Sequence, residues 1–131
     1  MARADDRRPF FEAIRDHSFS AAHQLRGYQG KCERLHGHNW RVRVAVRSGK
    51  LDDAGMVIDF HDLDDIIRKA VAGLEDTLLN EVAPFDERNP SAEEIARHVA
   101  GEVGKSLARK DIRVDRVEVW ENDRSCAVYY A

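Results

Sequence analysis

"HGHNWRVRVAVR", residues 36–47, alternates with a period of two over nearly its whole length. His36, His38, Trp40, Val42, Val44 and Val46 fall on one side, while Asn39, Arg41, Arg43 and Arg47 fall on the other. That pattern predicts a strand with one buried face, and it places both histidines at the start of the apolar side. Upstream, residues 11–23 alternate well enough for a second strand, with Phe19, Ala21 and His23 on one face. The polar segment Gln24 to Leu35, which holds two glycines, reads as the loop between them. Downstream, "SGKLDDAG" turns the chain, and the apolar run "MVIDF", residues 56–60, reads as the return strand of a hairpin.

The period then changes. Leu63, Ile66, Ile67, Ala70, Val71 and Leu74 recur at helical spacing, so a helix begins near Asp59 to Asp62 and turns this stripe toward a sheet. After the loop around "EVAPFDERNP", Ser91 with Glu94 three residues on is a capping-box signature. Ile95, Val99, Val103 and Leu107 mark the second helix, weakened by Gly101 and Gly104. "RVEVWE" and "CAVYY" close the chain as strands around "NDRS". With the hairpin and its return strand counted as one unit, the order is strands, helix, helix, strands. This is an α+β layout, a four-stranded antiparallel sheet with two helices on one face. A small sheet of this kind has open edges, so a homo-oligomer is expected to pair them.

The chain of 131 residues fits one domain, residues 11–131, behind a polar, charged and flexible arm at residues 1–10. Its 21 basic and 24 acidic residues give a net charge of -3 and form no long single-sign run, which speaks against a nucleic-acid partner. Apolar runs are short, and "MARADDRRPF" lacks the apolar core of a signal peptide. The expectation is a cytoplasmic protein without a membrane partner. Two cysteines, Cys32 and Cys126, are too few for a disulfide scaffold, and they form no CxxC pair for structural zinc. Cys126, on an alternating terminal strand, reads as a small buried hydrophobe.

Histidines two apart on a strand point the same way and can converge on one ion, or they can be satisfied partners at a core margin. His23, on the apolar face of the neighbouring strand, offers a third imidazole. Three histidines with an open fourth position suit a catalytic metal better than a structural one. Gly37 between them would permit close backbone approach. Cys32 precedes His36 by four residues. It is open to three readings: an ordinary loop thiol, a further metal ligand, or a thiolate base or nucleophile activated by a nearby dication. Glu121 continues the parity of Val117 and Val119. It is either a solvated strand terminus or a carboxylate awaiting paired N–H donors from a guanidine-like edge. Arg26, Lys31 and Arg34 are loop cations available to an anion.

Taken together, "SFSAAH", "CERLHGHNW", "MVIDF", "LLNE", "NPSAEEIA" and "VEVWE", in this order from Phe11 to the C-terminus, resemble the 6-pyruvoyltetrahydropterin synthase and 6-carboxytetrahydropterin synthase family. The three-residue separation of Cys32 from HGH is similar to the bacterial carboxy branch. The resemblance implies the tunnelling fold, in which three sheets close into a barrel and two trimers stack as a hexamer. It also implies zinc on His23, His36 and His38, Cys32 as base, and Glu121 holding the 2-amino and N3 edge of a pterin. The implied substrate is 7,8-dihydroneopterin triphosphate, and the product feeds queuosine and other deazapurines. Where the family has an Asp-His pair, "LEDTLLN" carries Glu75 and Asp76. Two adjacent acids repel when ionised, which could raise the pKa of one enough to make it a usable acid. Alternatives are a pyruvoyl-type elimination, a weakly active zinc- and pterin-binding paralogue, or side-chain cleavage of dihydroneopterin. The last is the activity of the family branch that carries a glutamate at the position of Glu33.

Overall fold

The computed structural model describes residues 8–28 and 33–131. Strands β1 (Phe11–His23) and β2 (His36–Ser48) lead to helix α1 (Phe60–Val71) and the two-residue strand β3 (Thr77–Leu78). Helix α2 (Ala92–Ser106) and strands β4 (Arg113–Asn122) and β5 (Ser125–Tyr130) complete the chain. The strands form one mixed sheet in the order β3-β1-β2-β4-β5, antiparallel except where β3 joins β1.

The sheet is therefore five-stranded and mixed, not a four-stranded antiparallel one, and the difference has two causes. The fifth strand is Thr77–Leu78, which runs parallel to Ala21 and Ala22 and is too short to show any period. Residues 56–60 form no strand, because β2 already has β1 on one edge and β4 on the other. This segment instead closes on itself and runs into α1. The Asp52 amide donates to the Met56 carbonyl and the Met56 amide to Asp52 Oδ1, while Asp59 caps α1 by accepting the His61 amide at 2.7 Å.

Both helices lie on one face of the sheet. Leu63, Ile67, Val71 and Leu74 from α1 and its exit, with Ile95, Val99 and Val103 from α2, are buried against Trp40, Val42, Val44, Val46, Val117 and Val119. Ile66, Ala70 and Leu107 pack partly against this core. Ser91 caps α2, its Oγ accepting the Glu94 amide at 3.2 Å. The opposite face of the sheet has no covering layer among the described residues, and Cys126 is exposed there rather than buried. Phe10, expected in a loose arm, places its ring 3.4 Å from the Arg47 guanidinium carbon.

A candidate metal centre at the end of the sheet

The β1–β2 ladder runs in unbroken register from Phe11 opposite Ser48 to His23 opposite His36, so two of the three predicted ligands form its last cross-strand pair. His38 follows His36 by two and projects to the same helix-covered side. Trp40, fully buried, supports the cluster from below, with its ring centroid 4.9 Å from that of His23 and 5.0 Å from that of His38. Its indole N–H donates to the Ala21 carbonyl at 3.2 Å. A Cβ on Gly37 would meet only the Ala21 carbonyl oxygen at 3.8 Å, so close backbone approach does not require glycine there.

Hydrogen bonding sets the proton positions. His23 Nδ1 lies 2.7 Å from the Pro90 carbonyl oxygen and His36 Nδ1 2.7 Å from that of Arg34. A carbonyl only accepts, so each Nδ1 carries a proton, which leaves Nε2 as the ring's available ligating atom. These two Nε2 atoms are 2.9 Å apart. Two lone pairs at that separation repel unless a cation lies between them. His38 Nε2 is buried and has no hydrogen-bond partner. Burial pushes the His38 imidazole below its usual pKa, against the opposing pull of the Glu121 carboxylate, which favours the neutral, ligating form. One donor atom from each ring falls within 4.8 Å of the others. Three imidazoles, two of them oriented by carbonyl acceptors, fit a divalent metal ion.

The other predicted residues distribute unevenly. Glu121 reaches the cluster from β4, with Oε1 3.9 Å from His23 Nε2 and Oε2 4.0 Å from His38 Nε2. Glu33 places a buried, unpartnered Oε1 3.7 Å from His36 Nδ1. Cys32 and Lys31 lie outside the described residues. Glu75 accepts the Ser20 amide at 2.9 Å through Oε2, while Asp76, in the left-handed region at φ 56°, donates its amide to the Ser20 carbonyl. Asp76 lines a cavity of about 360 Å³ with Ser20, Ala22, Gly37, His38 and Asn39, so it shares a wall with the histidine cluster. Arg26 donates to the carbonyls of Phe85 and Arg88 and acts as a strut.

Sequence reasoning missed the residues that hold the cluster in place. Asn80 exchanges two hydrogen bonds with the backbone of Gln24, and Asn89 does the same with Arg26, lashing the chain just beyond His23. Pro90 supplies the carbonyl that orients His23. Asn80 lies in "LLNE" and Asn89 and Pro90 in "NPSAEEIA", but neither period nor spacing assigns these residues a role.

A mixed five-stranded sheet backed by two helices, with three histidines converging at one end, defines a small α+β protein with a candidate metal centre. Comparison narrows the class. The family model for 6-pyruvoyl tetrahydropterin synthase matches residues 12–131, and the chain belongs to that family. A protein of Archaeoglobus fulgidus, provisionally named 6-carboxy-5,6,7,8-tetrahydropterin synthase, is 43% identical over 106 residues, covering 81% of this chain and 84% of its own. The Haemophilus influenzae 6-carboxy-5,6,7,8-tetrahydropterin synthase is 30% identical over 145 residues, covering 91% and 98%. Relatives so named make this a family of lyases. Among solved structures, 6-pyruvoyl tetrahydropterin synthase of Caenorhabditis elegans superposes with a TM-score of 0.82 at 24% identity, over 95% of this chain and 97% of that one. Among the described residues no helix is long and apolar enough to cross a membrane.

Proposed function

We propose that the protein is a zinc-dependent 6-carboxy-5,6,7,8-tetrahydropterin synthase that acts on 7,8-dihydroneopterin triphosphate and works in the cytoplasm on the route to queuosine and related deazapurines. The observation that carries this reading is the His23, His36 and His38 cluster with the Glu121 carboxylate facing it. Bound there, zinc supplies Lewis-acid stabilisation of negative charge that develops on substrate oxygens. The remaining roles belong to the chain. The Glu121 carboxylate accepts two N–H donors from the pterin 2-amino and N3 edge, which fixes the ring. The Cys32 thiolate removes a proton from the substrate side chain. Triphosphate leaves, and cleavage of the side chain with water yields 6-carboxytetrahydropterin and acetaldehyde. Asp76, on the wall it shares with His38, is the acid nearest in role to the histidine of the family's usual pair, and Glu75 secures it through Ser20.

The assembly proposed is a trimer or hexamer of identical subunits. From Phe11 to Ser20 the outer edge of β1 has no strand neighbour among the described residues, and the outer edge of β5 has none either. β1 and β5 run in opposite directions, so these edges can continue an antiparallel sheet from one copy to the next.

A second reading is favoured by one observation, the buried and unpartnered Oε1 of Glu33 beside His36. A carboxylate so placed suits the aldol-type cleavage of dihydroneopterin to 6-hydroxymethyldihydropterin and glycolaldehyde. Mass spectrometry of products from zinc-loaded protein given each substrate separates the readings. The first predicts 6-carboxytetrahydropterin and acetaldehyde from the triphosphate, lost in Cys32→Ala. The second predicts 6-hydroxymethyldihydropterin from dihydroneopterin, lost in Glu33→Gln. Return of both substrates unchanged refutes both readings and leaves a pterin-binding paralogue.

A further inference from the structure

We propose that Glu121 is the fourth protein ligand of the substrate-free metal centre, and that a ligand engaging its carboxylate withdraws it and opens that position. The proposal deepens the reading above and rests on it only for the identity of the displacing ligand.

Backbone geometry comes first. The β4–β5 ladder pairs Trp120 with Cys126 and then Asn122 with Ser125, so Glu121 is the extra residue of a β-bulge. A bulge re-aims the side chain it carries, and bulges are over-represented beside active sites. Here it directs Glu121 toward the two strands that bear the histidines, across β2, which separates β4 from β1.

Distance comes second. The two carboxylate oxygens address two different Nε2 atoms, at 3.9 Å from His23 and 4.0 Å from His38. A tetrahedral zinc with bonds of about 2.0–2.2 Å separates neighbouring donors by roughly 3.3–3.5 Å. Each of these two distances exceeds that spacing by about half an ångström, and no single carboxylate oxygen is yet within 4.8 Å of the donor atoms of all three rings, so ligation requires the Glu121 side chain to rotate inward. The other acid at the cluster, Glu33, lies against His36 Nδ1, on the far side of a ring whose Nε2 faces the centre. It is not positioned to ligate.

Electrostatics comes third. Three neutral imidazoles leave a divalent ion uncompensated in a site where the His23 side chain is only 1% exposed, and a buried, unpaired charge is costly. One carboxylate lowers that cost. Its side chain is 31% exposed, so it is also reachable from solvent by an incoming N–H edge. The same group then serves two partners in turn, and recognition of the ring is coupled to opening of the metal.

The test uses cobalt-substituted protein, whose visible absorption bands report the ligand set, and chelator competition for zinc. Glu121→Gln is expected to shift the cobalt bands and to weaken zinc retention on the order of 10- to 100-fold, the range seen when a supporting group of a metal site is removed. Glu121→Asp keeps a shorter carboxylate and is expected to fall between the two. Unsubstituted pterin, which has the N–H edge but no side-chain hydroxyls, is expected to move the wild-type bands toward those of Glu121→Gln and to leave the variant's bands unmoved. Superimposable bands and equal zinc retention in wild type and Glu121→Gln overturn the ligand assignment. Pterin that binds, by its fluorescence, without moving the wild-type bands overturns the displacement. If Glu121→Gln alters the bands and pterin does not bind, the ligand assignment stands and the pterin reading is what fails.

Discussion

On its covered face the sheet stacks Trp40, Val42, Val44 and Val46 beside Val117 and Val119, all at 0% exposure, under two helices. On its open face the same strands carry Arg43 between Asp16 and Glu118, and Arg116 between Glu12 and Glu118. The covered face is held by apolar area removed from water, the open face by ion pairs that water screens. The candidate centre sits where the covered column changes from valine and tryptophan to imidazole. There burial favours the neutral form of His38, and the carbonyls of Pro90 and Arg34 orient His23 and His36.

The largest stability effect should come from the covered side. Leu63, fully buried on α1, is expected to cost about 2–5 kcal/mol when changed to alanine, read as a lower urea midpoint at unchanged slope. A loss below about 1 kcal/mol would mean that the helix layer contributes less than the contrast requires.

A smaller effect should follow pH. His98 on α2 packs edge-on against Phe85 at 5.4 Å, and burial pushes its pKa below the usual 6.5. The unfolded chain therefore takes up this proton before the folded one does. Stability from this group is full above about pH 6.5 and is lost as pH falls from there toward the depressed folded value. His98→Phe is expected to flatten thermal stability against pH in that window, and an unchanged slope would remove His98 from the account.

The open face should give the smallest change. Asp16 is held below the usual carboxylate range mainly by its hydrogen bond to Arg43, but the two side chains are 42% and 36% exposed. Arg43→Ala is expected to cost less than about 1 kcal/mol, shrinking further in high salt. A larger, salt-insensitive loss would erase the distinction between the faces.

Much of this was legible from period alone. The strand reading of residues 36–47 and the helical stripe from Leu63 fixed the layers, because each buries one face and repetition exposes which. The parity of His23, His36, His38 and Glu121 placed all four on the covered side. Residues 56–60 misled because an apolar run of five looks the same whether it joins a ladder or docks beside one, and only the occupied edges of β2 decide between them. Thr77–Leu78 has no repeat to read. The roles of Pro90 and Arg34 were invisible because they act through backbone carbonyls, and the β-bulge at Glu121 leaves no mark in the alternation.

The central claim is that the 2.9 Å contact between His23 Nε2 and His36 Nε2 marks a metal centre rather than a proton shared between two rings. Elemental analysis of zinc bound per chain after loading and exhaustive dialysis, for wild type and His36→Ala, tests this most directly. The account predicts one zinc per wild-type chain and near-complete loss in the variant. Wild-type protein that retains no zinc, or a variant that retains as much, would contradict it.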